Sequence, residues 1–592
     1  MLTTKFAARV ADEIANLGIT HVFGLPGGQA MHLMDAVDQH PKLTYVSALH
    51  EQAASFMAIG YARQKMTPAA CLVTTGPGGT NAITGLAGAW LDSIPVLFIS
   101  GQFRTDTLKL SRDVRQSVLQ QMFPVDLVKN MTKFSKLLDN PGDLLEDLSA
   151  ALNAMVSGRP GPVWLDVPLD IQVSQVALKP TVITSQSSAI PDLSKLLFLL
   201  AESKRPVIIA GHGVRLAKGV GILREVVSKL QIPLLTSING MDLIEDSFEY
   251  FYGRPNYWGQ REANFIIQNA DLIISIGAGL HLETTGFDSH LFAREAKVVV
   301  IDIDEAETKK KSIKVDLSYI CDAKIFIDCL GKSSITILWN EWLDYCNSVR
   351  HHFKFNQFPT SAEMRGLSMY DVIETISKLA PEDSTIIHGN AGGHFTTAVQ
   401  CFRVKNGQRL MSSIGIGAMG SSIPMAIGAS FAAPHRTILV FTGDGGIQFN
   451  IQELSTLVGH KLPIHIFVFE NRGYASLRST QRRYFDGRLI ASSPESNLFL
   501  PDLARVVEAF GISFNEVTKL EELEDAVKQN LEAHQFATIF HVDPENLIQP
   551  RLGSTMKESG TMVSDPLEDL SPHLDDEEFN KWMIIPSLRS KQ

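Results

Sequence analysis

The sequence lacks paired cysteines, an excess of positive charge and long apolar runs. Its five cysteines are scattered without a Cys-x-x-Cys pair, which is typical of reduced thiols packed in a core. A net charge of −11 with no long basic run argues against nucleic acid as the main partner, because phosphate binding needs clustered lysine and arginine. No stretch reaches the roughly 18 uninterrupted apolar residues that suggest a membrane span. These absences favour a protein that acts on small molecules.

The first residues do not resemble a targeting segment. In MLTTKFAARVADEIANLGI the apolar residues recur at helical spacing and are interrupted by Lys5, Arg9 and Asp12. A signal peptide needs an unbroken apolar stretch instead. We therefore expect a cytoplasmic protein without a membrane anchor or a membrane partner.

The chain is long enough, at 592 residues, for about three or four domains of ordinary size. Short apolar strands alternate with amphipathic helical segments in three blocks, which predicts α/β domains built on doubly wound parallel sheets. We assign these blocks to residues 1–172, 191–335 and 363–545. The Ser- and Thr-rich stretch 173–190 is interpreted as a linker, and 546–592 as an irregular C-terminal arm.

The strongest chemical signal is the run 443–446, Gly-Asp-Gly-Gly, which ends the apolar strand TILVFT. Asn471 ends the next apolar strand along the chain. Asp444, the Asn471 side-chain oxygen and a nearby backbone carbonyl are hard oxygen ligands suited to a Mg²⁺ that also binds a diphosphate. Glycine N–H groups and the start of the following helix favour the phosphates. Taken alone, the run is equally well an ordinary turn, since Gly and Asp are the usual turn residues.

Long segments spread along most of the chain resemble those of thiamine diphosphate enzymes of the acetohydroxyacid (acetolactate) synthase type. They are FGLPGGQAMHLMDA, HEQAASFMAIGYAR, VTTGPGGTNAITGLAGAWLDSIPVLFISGQ, RPGPVWLDVPLDIQ and IGAMGSSIPMAIGAS. The match extends from Met1 to about Asp543, with the segments in the family's order. The resemblance implies a pyrimidine-binding first domain, a central domain and a diphosphate-binding third domain.

The same resemblance implies thiamine diphosphate and Mg²⁺ as cofactors. Asp444, Asn471 and the carbonyl of Gly473 match the family's metal ligands. The family motif usually ends in Asn-Asn, and Glu470 replaces the first Asn, which affects only the neighbouring packing. Residues 389–393 replace the family's Asp-Val-Gly-Gln-His, so backbone contacts are expected there. The remaining implied cofactor contacts are Asn390, Gly392, Gly393, Gly443, Gly445, Gly446 and Tyr474.

Five residues are implied at the reacting end of the cofactor. Glu51 matches the glutamate that hydrogen-bonds N1′ of the aminopyrimidine and so promotes proton removal from the thiazolium ring. Without the other motifs, a glutamate at a helix start is more simply a surface residue that complements the helix dipole. Met419 resembles the apolar wedge that bends the cofactor, and Gly417 supplies the carbonyl that holds its aminopyrimidine. Gln120 and Gly28 are expected beside the reacting carbon.

The implied reaction is decarboxylation of a 2-keto acid, with pyruvate as the expected donor, followed by transfer of the two-carbon unit to an aldehyde or ketone acceptor. An active site shared between subunits implies a homodimer or homotetramer. FAD is expected in the central domain by family analogy. The weak Gly-x-Gly signal at 211–213 and the strand-end Asp302 and Asp304 support it.

Two departures from the synthases leave the acceptor open. The stretch 277–283 lacks the two arginines that meet FAD or the acidic acceptor in the family. Ser476 and Thr480 replace a Met and a Trp that shape acceptor choice. Losing a guanidinium fork removes the clamp for an acceptor carboxylate. One alternative is therefore transfer to a keto-sugar nucleotide, giving a branched-chain sugar; another is a 2-keto acid decarboxylase without carboligation.

Three further segments support the keto-sugar alternative. FAREAKVVVIDIDEAETKKKSI, GYASLRSTQRRYFDGR and GTMVSDPLEDLSP look like relatives from bacterial surface-polysaccharide pathways. Arg478, Arg482 and Arg483 would then meet a nucleotide diphosphate, although a solvated helix face is the favoured interpretation because basic residues are mostly exposed. A paralogue that keeps the fold without catalysis is a further alternative, and the presence of Glu51 and Asp444 argues against it.

Overall fold

The computed structural model describes residues 3–110, 114–178, 189–353, 358–545, 548–556, 560 and 562–589. Most of the expected linker therefore lies outside the described residues. Within these ranges, no helix combines the length and the apolar character that a bilayer crossing demands. All five cysteines are free thiols, and four of them are buried, as the sequence predicts.

The first block forms a six-stranded parallel sheet. The block has eight strands, of which the first and last lie outside this sheet: β1 (Thr3–Lys5), β2 (His21–Gly24), β3 (Thr44–Ser47), β4 (Ala69–Thr74), β5 (Val96–Gln102), β6 (Phe134–Leu137), β7 (Val163–Pro168) and β8 (Gln175–Ala177). Its helices are α1 (Phe6–Asn16), α2 (Met31–Asp38), α3 (Glu51–Lys65), α4 (Pro77–Leu91), α5 (Thr105–Lys109), α6 (Pro124–Val128), α7 (Leu144–Val156) and α8 (Leu169–Gln172). The sheet order is β3-β2-β4-β5-β7-β6, and β1 pairs with β8 as a separate antiparallel ribbon.

The middle block forms a five-stranded parallel sheet. Its strands are β9 (Pro206–Ala210), β10 (Leu234–Thr236), β11 (Leu272–Ile276), β12 (Lys297–Asp302) and β13 (Leu317–Ile320). Its helices are α9 (Ser194–Glu202), α10 (His212–Leu216), α11 (Val220–Leu230), α12 (Arg261–Asn269), α13 (Leu282–Thr285), α14 (Glu305–Thr308), α15 (Ala323–Gly331) and α16 (Asn340–Phe353). The order β10-β9-β11-β12-β13 is that of a flavodoxin-like sheet.

The third block forms another six-stranded parallel sheet. Its strands are β14 (Thr385–His388), β15 (Arg409–Met411), β16 (Ile438–Gly443), β17 (Ile464–Glu470), β18 (Ser513–Val517) and β19 (Phe536–His541). Its helices are α17 (Met369–Leu379), α18 (Gly393–Cys401), α19 (Ser422–Ala432), α20 (Asp444–Ile447), α21 (Glu453–Gly459), α22 (Ala475–Tyr484), α23 (Leu503–Ala509) and α24 (Leu523–Glu532). The order β15-β14-β16-β17-β19-β18 repeats that of the first sheet.

The three sheets explain the near-continuous apolar strands of the sequence. All seven residues of β5 and all five of β9 are buried, which is what a parallel sheet covered on both faces requires. The expected α/β class with three doubly wound parallel sheets is therefore confirmed. The boundaries assigned from the sequence remain predictions.

The C-terminal segment is more regular than an irregular arm. It contains the antiparallel pair β20 (Ser554–Met556) and β21 (Met562–Ser564) and the helix α25 (Asp576–Trp582). Phe579 and Trp582 of α25 pack with Phe265 of α12 and with Val349 of α16 in one apolar cluster. The segment therefore covers helices of the central domain.

Two glycines let the first and third domains pack closely. A Cβ built on Gly60 of α3 would lie 2.1 Å from the carbonyl oxygen of Met425 in α19. A Cβ on Gly428 of α19 would lie 1.9 Å from the carbonyl oxygen of Met57 in α3. Only a residue without a side chain permits backbones to approach this closely. The two domains consequently share one hydrophobic core, and α3 is fixed in position with Glu51 at its start.

Candidate active site

Asp444 stands at the carboxyl end of β16 and is the first residue of α20. The helix that follows the strand therefore begins at Asp444 itself. One carboxylate oxygen, Oδ1, accepts a hydrogen bond from the N–H of Gly445 at 2.8 Å. The other, Oδ2, accepts from the N–H groups of Gly473 at 2.8 Å and Asn471 at 3.2 Å. The sequence-predicted metal ligands are thus brought together.

Burial governs the electrostatics of this carboxylate. Asp444 is only 3% exposed, and burial raises its pKa to about 6, outweighing the backbone N–H donors that lower it. A buried carboxylate with a raised pKa gains stability from a nearby cation. The Oδ1 atom of Asn471 is also buried and has no hydrogen-bond partner among the described residues. Since buried acceptors are normally satisfied, this pair of oxygens with the Gly473 carbonyl fits Mg²⁺.

The glycine-rich turn after β14 surrounds a histidine that the sequence analysis did not single out. A Cβ on Gly389 would lie 2.8 Å from Nε2 of His394, and one on Gly443 would lie 3.5 Å from its Cε1. Burial lowers the pKa of His394 to about 3, so its imidazole is neutral. Its Nε2 has no partner among the described residues. The available signal was its position in the first turn of the helix that follows the 389–393 run.

The loop that carries Gly417 and Met419 lies beside the same crevice. Asn390 connects this loop to the turn after β14, because its Nδ2 donates to Oγ of Ser421 at 2.9 Å and, at 3.5 Å, to the carbonyl of Ala418. Gly417 has a φ of 62°, a left-handed conformation that suits glycine. Met419 is half-buried. The residues predicted to hold the cofactor's pyrimidine therefore adjoin those predicted to hold its diphosphate.

Three glycines from the two predicted diphosphate segments, 389–393 and 443–446, complete this group together with Tyr474. A Cβ on Gly445 would lie 2.4 Å from Cε1 of Tyr474, so the ring packs directly on the turn. Gly392, with a φ of 101°, precedes α18, and Gly393 begins that helix. The residues predicted to hold the metal and the diphosphate are thus gathered at the carboxyl ends of β14, β16 and β17, and Gly417 and Met419 lie in the loop after β15.

Glu51 belongs to a second group, on the first sheet. It is 6% exposed, which excludes the surface interpretation, and its Oε2 accepts a hydrogen bond from Nδ2 of Asn81 at 2.9 Å. A Cβ on Gly78 would lie 3.5 Å from Oε1 of Glu51. A Cβ on Gly76 would lie 2.5 Å from the carbonyl oxygen of Gln120. Glu51 and Gln120 therefore flank one turn, at the start of α4.

Gly28 lies at the neighbouring strand end. It begins a short 3₁₀ turn after β2 and is exposed. A Cβ on the preceding Gly27 would lie 2.4 Å from Cβ of Thr74, the last residue of β4, and one on Gly78 would lie 2.9 Å from the Thr74 methyl group. The structure consequently brings together the three residues predicted to be catalytic: Glu51, Gln120 and Gly28.

Within one chain, Glu51 and Gly417 lie at different ends of α4. Glu51 is next to Gly78 in the first turn of that helix. Near its other end, a Cβ on Gly88 would lie 2.7 Å from Oγ of Ser413, whose carbonyl accepts from the N–H of Gly417. The stretch from Gly78 to Gly88 is about 15 Å of helix. Residues that the resemblance assigns to one aminopyrimidine are therefore separated in the single chain.

Glu470 stands where the family motif usually has an asparagine, and it pairs with a histidine. His541, opposite it on β19, lies 2.7 Å from Glu470 through Nδ1 and 2.9 Å from Glu516 through Nε2. These two carboxylates, Glu470 first, raise the pKa of His541 to about 9. The replacement thus creates a charged cluster across three strands beside Asn471, which is a larger effect than a change of packing.

Arg478 does not lie on a solvated helix face, contrary to the favoured interpretation of the sequence. It is 4% exposed, and its guanidinium donates to four backbone carbonyls. Since these bonds occupy both terminal nitrogens, Arg478 is equally unavailable to a nucleotide diphosphate. Arg482 and Arg483 are more exposed; the first pairs with Glu545 and the second donates to the carbonyl of Ser554.

A cavity of about 880 Å³ lies at the carboxyl ends of β9 and β11 and is bordered by all three domains. Its size suits a dinucleotide, and Asp302 at the end of β12 is placed as a ribose-binding carboxylate would be. The charge of the cavity wall, however, does not suit a diphosphate. Among the described residues that line it, Arg159 is the one arginine or lysine, and it pairs with Asp304 and Glu307. The carboxylates on the wall are Asp92, Glu283, Asp302, Glu307 and Asp322.

Comparison with known protein families gives three matches in one order. Residues 4–129 match the thiamine pyrophosphate enzyme N-terminal TPP binding domain. Residues 193–330 match the central domain of the same enzymes, and residues 390–541 match their C-terminal TPP binding domain. The three matched ranges fall on the three parallel sheets.

Relatives of similar length extend the comparison over most of the chain. The acetolactate synthase large subunit of Lactococcus lactis subsp. lactis (strain IL1403) is 31% identical over 89% of this chain and 90% of its own length. Acetolactate synthase isozyme 2 large subunit of Escherichia coli (strain K12) is 30% identical over 88% and 92%. Acetolactate synthase 1, chloroplastic, of Zea mays is 29% identical over 89% and 84%. The chain belongs to the thiamine pyrophosphate enzymes.

Proposed function

We propose that this enzyme decarboxylates a 2-keto acid, with pyruvate as donor, and joins the two-carbon unit to an aldehyde or ketone acceptor, in the manner of acetolactate synthases. The observation that carries the proposal is the buried Asp444, bonded to both ends of the 471–473 segment beside the open amide oxygen of Asn471. The similarity to acetolactate synthases over nearly nine tenths of the chain supports the reaction type.

The third domain would hold Mg²⁺ and the diphosphate. Asp444, the Asn471 side chain and the Gly473 carbonyl supply hard oxygen ligands. The glycines at 443–446 allow phosphates to approach the backbone, and the neutral His394 offers a ring nitrogen in the same crevice. Gly417 and Met419 border the position of the pyrimidine. Bound thiamine diphosphate supplies the carbon nucleophile and the electron sink that loss of carboxylate needs.

Glu51 would hold a proton at the aminopyrimidine. Its burial strengthens that charge-assisted hydrogen bond, and the Asn81 amide fixes one oxygen so that the other keeps its direction. Gln120 and Gly28 would line the space for the donor and acceptor. A site closed to water favours loss of the charged carboxylate and retains the two-carbon unit until the acceptor binds.

We infer that two chains share each active site, as in a homodimer or a tetramer of dimers. Glu51 and Gly417 lie at different ends of α4 in one chain, so the first domain of a partner subunit is the simplest source of a glutamate near Gly417. Mixing of two inactive variants tests this. Random dimers of Glu51→Gln and Asp444→Ala chains should recover about one quarter of wild-type activity, because half the dimers carry one intact site. No recovery would place the complete site within one chain.

Product analysis tests the reaction itself. Carbon-13 pyruvate is incubated with thiamine diphosphate, Mg²⁺ and enzyme, and the products are followed by NMR with 2-ketobutyrate or a 4-keto-sugar nucleotide added. We expect acetolactate, and acetohydroxybutyrate with 2-ketobutyrate. Acetaldehyde alone would identify a decarboxylase, and a branched product formed only with the keto-sugar would identify the sugar alternative. Glu51→Gln is the matched control, expected to lose about 10²–10⁴-fold in turnover while still binding cofactor.

The lining of the central cavity argues against FAD as a cofactor. The central cavity is large enough, but three of the five carboxylates on its wall form no ion pair among the described residues and would repel a diphosphate, and Arg159 on the wall is already paired. Lys310 is also bonded, to the Gly279 carbonyl and to Glu307 at 2.9 Å. The expectation of FAD from family analogy thus remains a prediction that this lining opposes. A cytoplasmic location likewise rests on the sequence pattern alone.

A further inference from the structure

Arg478 makes an unusual set of contacts directly behind the metal-binding segment. Its Nη2 donates to the carbonyl of Asn471 at 2.7 Å, and its Nη1 donates to that of Arg472 at 3.1 Å. The same two nitrogens donate to Ser492 at 2.8 Å and to Pro544 at 2.8 Å. One guanidinium therefore ties the 471–473 segment to two other parts of the third domain.

Burial makes the position of Arg478 energetically unfavourable for a cation. Arg478 is buried, and no carboxylate of the described residues forms an ion pair with it, although the charges of Asp444 and Glu495 favour the guanidinium from further away. Burying a charge without a counter-ion is unfavourable unless hydrogen bonds compensate. Here the compensation is four carbonyl dipoles in the fork geometry that only arginine provides. An apolar side chain at this position would leave the four carbonyls without these donors, so the fork is matched to the segments that it joins.

The contacts face the opposite side of the segment from the metal site. The N–H groups of Asn471 and Gly473 point to Asp444, while the Asn471 carbonyl points to Arg478. Gly473 has a φ of 123°, and a Cβ there would lie 2.7 Å from the Ser492 carbonyl, so the segment is tightly confined. It is held from both sides.

We propose that Arg478 is a positioning residue for the metal site, fixing the 471–473 segment so that Asn471 and Gly473 keep their geometry against Asp444 before Mg²⁺ binds. The inference rests on the proposed metal site. A group behind the ligands that orients them typically contributes about 10–100-fold to metal affinity. It acts through Asn471 and Gly473 and does not touch the reacting atoms.

The test measures metal-dependent cofactor binding directly. Equilibrium dialysis of thiamine diphosphate across a range of Mg²⁺ concentrations is applied to wild type, Arg478→Ala and Arg478→Lys. We expect the half-saturating Mg²⁺ concentration to rise about 10–100-fold in Arg478→Ala. Arg478→Lys, which keeps the charge but not the fork, should show a smaller rise of about 3–10-fold. At saturating Mg²⁺, turnover should stay within about threefold of wild type.

Arg261 provides a matched control. It is also 4% exposed, and its guanidinium donates to the carbonyls of Leu570 and Pro572 in the C-terminal segment, with no bond to the 471–473 segment. Arg261→Ala should lower the thermal midpoint without changing the Mg²⁺ requirement. A shift in Arg478→Ala no greater than that in Arg261→Ala would overturn the proposal; if Arg478→Ala does not fold, an unchanged Mg²⁺ requirement in Arg478→Lys would do so. If wild type shows no Mg²⁺-dependent binding, it is the metal site itself that fails.

Discussion

The central and third domains have the same kind of crevice at the edge of their sheets, but different groups line it. Both sheets reverse their winding next to their first strand, between β9 and β11 and between β14 and β16, and such switch points are where doubly wound sheets bind ligands. In the third domain the crevice keeps buried acceptors without partners, at Asn471 and Asn390. In the central domain, three backbone N–H groups of the 211–214 loop are bonded within the protein, and the buried atom of that loop without a partner among the described residues is the ring nitrogen Nε2 of His212.

Three backbone N–H groups of the central loop are bonded within the protein and cannot meet phosphates. Gly211 donates to the carbonyl of Ile276 at 3.0 Å, and Gly213 donates to that of Gly277 at 3.0 Å. Val214 donates back to Gly211 at 3.1 Å. A Gly-x-Gly sequence in a suitable fold therefore does not establish a phosphate site. The fold supplies the crevice, and particular side chains and unpaired backbone groups decide what it binds.

The largest expected effect comes from removing the carboxylate that distinguishes the third crevice. Asp444→Ala should weaken Mg²⁺-dependent binding of thiamine diphosphate by more than about 100-fold, since a ligand contributes more than the groups behind it. Equilibrium dialysis measures this. Asp302→Ala, the strand-end aspartate of the central crevice, is the control and should bind like wild type. Equal losses in both variants would show that the two crevices do not differ as described.

The second largest effect is expected from a substitution that makes the central crevice more like a phosphate site. Glu283→Arg replaces a carboxylate on the cavity wall by a guanidinium, within the 277–283 stretch where the resemblance to the synthases leads us to expect arginine. We expect FAD to bind about 10–100-fold more tightly, because a charge-assisted bond replaces a repulsion. Fluorescence titration with FAD measures the affinity. Glu283→Gln, which removes the charge without adding a donor, should gain less. Wild-type protein that purifies with one FAD per chain would contradict the electrostatic argument.

Sequence alone could predict what local pattern and long motifs carry. Short apolar strands that alternate with helical segments predict parallel sheets, and the residues expected at the metal, among them Asp444 and Asn471, do meet at the ends of two neighbouring strands. Both results follow because the carboxyl ends of parallel strands share one edge. Residues that end neighbouring strands in the sequence therefore lie close together in the fold.

Other features depended on contacts between distant parts of the chain. Basic residues on a helix are mostly exposed, so the burial of Arg478 against Ser492 and Pro544 had no local signal. His394 lay one position beyond the run compared with the family. The His541 cluster required knowing that β19 lies between β17 and β18. In each case the chemistry is set by tertiary neighbours, which periodicity does not report.

The smallest expected effect concerns the pH dependence of stability at the two crevices. Beside the third crevice, Glu470 and Glu516 hold His541, whereas beside the central one Asp304 and Glu307 hold Arg159, which does not titrate in this range. The folded pKa of His541, about 9, lies above its unfolded value of about 6.5. Its contribution to stability is therefore complete below pH 6.5 and is lost as pH rises through 9.

The thermal midpoint of wild type should accordingly fall between pH 6.5 and pH 9 by more than that of His541→Gln. Arg159→Gln should lower the midpoint by a similar amount at every pH in this window, because guanidinium stays charged throughout. Since His541 is partly exposed, solvent screening keeps the difference small, and it should shrink further in high salt. If His541→Gln and wild type lose stability in parallel, the imidazolium is not held by its two carboxylates, and Glu470 has another partner at the edge of the metal segment.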